Sequence, residues 1–145
     1  MKKQEFDTFN QAWADRAIGH VSSEGIDGFL KLKFLEIEAG KLVCEMPVTD
    51  EVITMIGNMH GGCISALCDH VLGSVMYPVM PEGYWAATTE FKINLMAPVS
   101  KGTCIATAEI VSMSRRLAVV SIRVENEDRL VALAQGTCTI VAPRS

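Results

Sequence analysis

Several motifs that carry catalytic chemistry are missing from this chain of 145 residues. It has no GxSxG elbow, no P-loop and no HExxH pair, so the serine-hydrolase, nucleotide-hydrolase and zinc-protease readings lack their parts. The five cysteines, Cys44, Cys63, Cys68, Cys104 and Cys138, are odd in number and contain no CxxC pair. A disulfide framework or a zinc site needs paired thiols at set spacings. Neither is expected, nor is a metal or redox cofactor. Reduced, buried thiols in a cytoplasmic protein are the simpler expectation. Positive charge is also scarce: 13 Lys and Arg face 17 Asp and Glu, for a net charge of −4. The basic residues are scattered, whereas nucleic acid requires a concentrated positive field.

No apolar run fits a membrane span. The longest, Gly61 to Pro81, contains Asp69, His70 and Pro78, groups that lipid would leave stranded. It reads as a buried helix of a non-membrane protein. Met1-Lys2-Lys3-Gln4-Glu5 leads into polar sequence, not an apolar signal core. Repeats, low-complexity tracts and linkers are missing too. With 49% hydrophobic and 21% charged residues, the chain is expected to form one domain over 1–145 with a sizeable core. Residues 1–24 make a helical extension.

What is present follows two periods. Phe6, Phe9, Trp13 and Ala17 recur at helical spacing. Gly25 and Gly28 mark a loop. Phe29 to Glu38 and Leu42 to Val48 read as strands joined at Ala39-Gly40. Gly61 to about Val79 is small and apolar without alternation, which predicts one long helix. Trp85 to Ala97 then alternates, with Thr88, Glu90, Lys92 and Asn94 on one face and Thr89, Phe91, Ile93 and Leu95 on the other. Thr103 to Met113, Leu117 to Glu125 and Leu130 to Val141 follow as strands, with Ala118, Val120, Ile122 and Val124 turned inward. Polar turns at Ser114-Arg115-Arg116 and Asn126-Glu127-Asp128 make them antiparallel hairpins. An antiparallel sheet must therefore cover one long helix, in an α+β fold. The last strand offers Ala132, Ala134, Gly136 and Cys138 on one face, small enough for close approach.

Two features of the long helix suggest chemistry. Asp69 stands in its apolar middle, with Ser65, Ala66, Leu72 and Gly73 as neighbours on its face. Buried there without a cation, the carboxylate is costly. It serves either a cross-structure hydrogen bond or a reaction, and the cleared face favours the reaction. Gly61-Gly62 open the helix, where unpaired N–H groups and the helix dipole can hold a developing oxyanion. A glycine-rich entry without a ligand is the plain alternative. His60, just before the helix, is read as a positioning or capping residue more than as a base. Eight residues of helix separate Gly61 from Asp69, or roughly 12 Å. One reacting carbon cannot touch both, so a shared site needs two antiparallel helices, as a two-fold dimer provides.

Taken together, these segments resemble the phenylacetate-type (PaaI-like) hotdog thioesterases. The resemblance rests on His60-Gly61-Gly62 with Asp69 and Gly73, the strand Thr88 to Pro98, the hairpin Ser114-Arg115-Arg116-Leu117-Ala118, and Ala134-Gln135-Gly136-Thr137. It covers about residues 29 to 142. It implies a hotdog fold, with the sheet wrapped around the helix, in a homodimer or homotetramer that hydrolyses acyl-CoA. Coenzyme A enters as part of the substrate. It further implies that Asp69 is nucleophile or base, that a Gly61 or Gly62 N–H from the opposing subunit polarises the carbonyl, and that Thr88 helps hold the water. Because Thr88 shares strand parity with Glu90 and Lys92, either that face lines a cleft or interface or a bulge intervenes. Many members place an asparagine six residues before the histidine; here that residue is Thr54. Asn58 either takes over its task or is a turn residue after Gly57. Arg115 and Arg116, beside Ser114, are either ligands of the CoA phosphates or solvated turn charges.

Two other functions use the same fold. A hydratase or dehydratase pairs a catalytic histidine with an acidic residue around a different, proline-containing histidine motif, whereas His60 is followed by two glycines. An acyl-CoA-binding module without catalysis would need a separate partner.

Overall fold

The computed structural model describes residues 4–145; residues 1–3 of the expected extension lie outside the described residues. The chain runs α1 (Gln11–Ala17), α2 (Gly25–Phe29), β1 (Lys33–Glu38), β2 (Lys41–Pro47), α3 (Gly61–Ser74), β3 (Trp85–Leu95), β4 (Thr103–Met113), β5 (Leu117–Asn126) and β6 (Arg129–Val141). Single 3-10 turns sit at Asp50–Val52 and Tyr77–Val79. The strands form one antiparallel sheet in the order β1-β2-β4-β5-β6-β3. α3 crosses its inner face and touches β2 through β6. This is the hotdog arrangement the sequence implied.

Period-two burial builds the inner face. Leu42, Cys44 and Met46 on β2, Cys104, Ala106 and Ala108 on β4, and Ala118, Val120, Ile122 and Val124 on β5 are buried. α3 answers with Ile64, Leu67, Cys68, Val71 and Leu72. Full burial of each large aliphatic chain contributes about 1.5–3 kcal/mol. All five cysteines are free, and all but Cys63 are buried. Burial pushes the thiols of Cys44 and Cys68 up to about 12 and that of Cys104 to about 11, which makes them inert packing residues.

The small face of β6 sets the helix–sheet distance. A Cβ on Gly136 would stand 2.7 Å from both Leu72 Cδ2 and Phe91 Cβ, and 2.9 Å from the Glu90 carbonyl oxygen. Neither Phe91 Cβ nor a carbonyl can swing away. Gly136→Ala is therefore expected to cost about 1–3 kcal/mol, read as a lowered urea midpoint; an unchanged midpoint would refute this packing.

Three expected boundaries are corrected. Phe29 to Leu32 is not strand: Phe29 closes α2, and Leu30 and Leu32 turn into the core. α3 ends at Ser74, not Val79, because Pro78 lacks an N–H and forces the chain into a 3-10 turn. α1 begins only after Phe9, where Asn10 Oδ1 accepts from Trp13 N at 2.9 Å and caps it. Phe6 instead lies against Gly40, whose φ of +77° and missing Cβ admit the ring.

The N-terminal segment is fastened to the helix layer. Trp13 stacks on Tyr77 at 5.8 Å, and Asn10 N donates to the Pro78 carbonyl. His70, on α3, stacks on Phe34 at 5.3 Å and faces Asp27 of α2, Nδ1 to Oδ1 3.4 Å. Burial lowers the His70 pKa below its ordinary 6.5, outweighing the attraction of Asp27 and Asp69. The unfolded chain therefore binds the proton more readily. His70 contributes stability above the unfolded value and loses it as pH falls from about 6.5 towards the folded one. The difference in melting temperature between wild type and His70→Phe is expected to be constant above pH 7. The two curves should depart from that offset below pH 6, where wild type falls faster; parallel curves would exclude the effect.

Candidate active site

Asp69 projects from the middle of α3 on the side the sheet leaves uncovered. It is exposed in the single chain, where burial was expected. The helical pattern placed its face correctly but gave no information on what lies over it. Its partner is Thr88, whose Oγ1 donates to Asp69 Oδ1 at 2.7 Å.

Strict alternation would have turned Thr88 away from the helix with Glu90 and Lys92. A β-bulge intervenes: Thr88 pairs with Cys138, but Glu90 already pairs with Thr137. The extra residue, Thr89, flips the parity. Ala86 and Thr88 join Phe91 and Ile93 towards α3, while Thr89 and Glu90 both face out. The expected faces of β3 are thus corrected at Thr88 and Thr89. Beneath Thr88 lies the buried Cys138, its Sγ 3.7 Å from the Leu72 carbonyl.

The helix start separates the two glycines. His60 is the N-cap, and its Nδ1 accepts from Gly62 N at 2.8 Å. That fits the positioning role and takes up the Gly62 N–H. The Gly61 N–H meets no acceptor among the described residues. It opens beside a pocket of about 270 Å³ that includes Asn58, Ile64, Leu95 and Met96. A Cβ on Gly61 would lie 2.6 Å from Leu95 Cδ1.

Asn58 closes a tight turn with its main chain and lines this pocket. Its carbonyl accepts from Thr54 N at 2.8 Å and Thr54 Oγ1 at 2.9 Å. Thr54 therefore spends its hydroxyl on the turn. The Asn58 amide makes only a long bond, 3.4 Å, to the Met59 carbonyl.

Ser114, Arg115 and Arg116 form the β4–β5 turn. Ser114 Oγ accepts from Arg116 N and Leu117 N and bonds the Leu117 carbonyl, so its work is structural. Both arginines are exposed, without ion pairs among the described residues. They border a hollow of about 420 Å³ with Tyr84 and Thr139. Cys138 pairs with Ala118 on one side and Thr88 on the other, so this hairpin is level with Thr88 along the sheet. Among the described residues no helix is long and apolar enough to cross a membrane, and no cluster of three His, Cys, Asp or Glu could hold a metal.

One chain thus brings Asp69 to Thr88, and Gly61 to Asn58, as two separate groups. α3 is continuous between them, so eight residues at helical rise hold them roughly 12 Å apart. Sequence reasoning missed Cys138 under Thr88 and Leu95 over Gly61. The paired threonines at 88 and 89, breaking an alternating strand, were the available signal for the bulge.

Comparison with known proteins assigns the fold to a family. Residues 56–133 match the family model of the thioesterase superfamily. The chain is 31% identical over 111 residues to human acyl-coenzyme A thioesterase 13, covering 75% of this chain and 78% of that protein. A mutant of the phenylacetic acid degradation protein PaaI from Thermus thermophilus superposes with a TM-score of 0.70 at 28% identity, covering 77% of this chain and 94% of that one. A mutant thioesterase from Pseudomonas aeruginosa shares the fold over 97% of this chain and 96% of its own, TM-score 0.78, at 20% identity. The chain belongs to the thioesterase superfamily, among its PaaI-like hotdog members, and is a thioester hydrolase.

The helix start makes its own prediction. Gly61→Ala is expected to fold, because the added methyl meets only the movable end of Leu95. Displaced Leu95 would then crowd the amide, and thioester hydrolysis should fall at least about tenfold, the scale of a lost oxyanion donor. Unchanged turnover with an unchanged melting temperature would remove Gly61 from the site.

Proposed function

We propose that the protein hydrolyses acyl-CoA to a free acid and CoA-SH, at sites each built from two chains. The observation that carries this reading is the Thr88–Asp69 bond on the uncovered face of α3. It fixes one carboxylate oxygen and leaves the other without a hydrogen-bond partner among the described residues. Asp69 either attacks the thioester carbon through that oxygen or draws a proton from a water that attacks it. The thioester C–S bond then breaks, and the sulfur leaves as thiolate and takes up a proton; on the direct-attack route water then hydrolyses the acyl anhydride formed on Asp69, which releases the acid and restores the carboxylate.

The carbonyl oxygen gains negative charge as the tetrahedral state forms. The free Gly61 N–H, at the positive end of α3, suits that charge. Because roughly 12 Å of helix separates the two groups, the amide comes from a second chain whose α3 runs antiparallel. Asn58 lines the same pocket as Gly61 and supplies a side-chain amide there in place of the family asparagine that Thr54 replaces. Arg115 and Arg116, exposed and without ion pairs, suit the CoA phosphates. The active species is a homodimer or a homotetramer. Coenzyme A enters as part of the substrate and no further cofactor takes part. Free, mostly buried thiols fit a reducing cytoplasm.

The test is release of free thiol from a panel of aliphatic and aromatic acyl-CoA thioesters, with light scattering on the same sample. Wild type should turn over at least one member as a dimer or larger. Asp69→Asn should fold and lose at least roughly a hundredfold in rate. Binding of acyl-CoA without any turnover would convert the reading to a non-catalytic module. An active monomer would refute the shared site.

A further inference from the structure

The outer face of the sheet, away from α3, carries two side-chain hydrogen bonds that bracket the β3 bulge. Thr89 Oγ1 and Thr139 Oγ1 share one at 2.7 Å. Thr137 Oγ1 donates to Glu90 Oε1, also at 2.7 Å. Thr89 and Glu90 are the two residues turned out by the bulge, and Thr137 and Thr139 flank Cys138, the residue paired with Thr88. Three successive residues of β6 therefore hold the bulge from both faces. Its effect is the inward turn of Thr88 onto Asp69.

We propose that Thr137 and Thr139 are positioning residues for thioester hydrolysis, clasping the β3 bulge so that Thr88 stays aimed at Asp69. Neither touches the carboxylate. A bulge is a local defect in a ladder that would otherwise pair in register. Release of the clasp lets the extra residue relax, and small displacements are enough to misplace a catalytic hydrogen bond. Both threonines stand on the outer face of β6, where a valine of the same shape keeps the strand's β propensity and removes only the hydroxyl. The inference rests on the proposed role of Asp69 and Thr88.

The experiment measures kcat and KM for one acyl-CoA substrate, with melting temperatures, across a double-mutant cycle. Thr88→Ala should lower kcat about tenfold, the scale expected when a positioned group is lost. The pair Thr137→Val with Thr139→Val should fold and lower kcat by a similar factor. Thr137→Ser with Thr139→Ser, which restores both hydroxyls, should recover most of it. In the Thr88→Ala background the valine pair should add nothing, because the residue it positions is gone. A drop in kcat for Thr88→Ala with none for the valine pair would overturn this proposal alone. An equal drop in both backgrounds would also overturn it, since the clasp would then act through something other than Thr88. Full activity in Thr88→Ala would overturn the role of Thr88 and the clasp with it.

Discussion

α3 packs close enough to the sheet that one β6 position has no room for a side-chain carbon. Gly136 meets Leu72 and Phe91 where any Cβ would collide, and Ala132, Ala134 and Cys138 continue the shallow face. Interiors pack like organic crystals, so this distance fixes where each helical residue emerges. Asp69 leaves the helix level with β3, within one hydrogen bond of Thr88. Gly61 starts the helix under Leu95. A wider spacing would leave the carboxylate without its hydroxyl and the helix start without its pocket.

Much of this was written in the chain. β4, β5 and β6 alternate over most of their length, with breaks after Ile110 and at Val131–Ala132, and are joined by turns with chemical reasons: Ser114 binds its own hairpin backbone, and Glu127 and Asp128 both adopt left-handed φ, at 49° and 62°. Phe29 to Leu32 misled because a short apolar run reads as strand, whereas Leu30 and Leu32 reach the core from a turn of helix. The helix was drawn too long because its composition stays apolar past Ser74, and only Pro78 marks the change. Asp69 was legible as an anomaly in an apolar helix. Its exposure was not, since a wheel gives a direction and no account of the neighbouring surface. Thr88 was legible only as a contradiction in strand parity, which the extra residue at Thr89 resolves.

Division of labour among neighbouring polar groups is equally plain. Gly61 and Gly62 look equivalent in sequence, but His60 takes the second amide and leaves the first. Thr54 and Asn58 both stand where an amide is expected. The turn consumes the Thr54 hydroxyl and leaves the Asn58 side chain almost free. Ser114 spends itself on the backbone while Arg115 and Arg116 point outward. In each case the backbone takes first claim on a hydrogen-bonding group, and what remains is the inventory for chemistry.

The His60 cap has one more consequence. A ring nitrogen that accepts from Gly62 carries no hydrogen, so the neutral imidazole must bear its proton on Nε2. The tautomer is thereby set by the backbone, and the outward edge of the ring is a donor. The exposed ring thus offers one fixed donor, Nε2–H, at the start of α3 and no free acceptor.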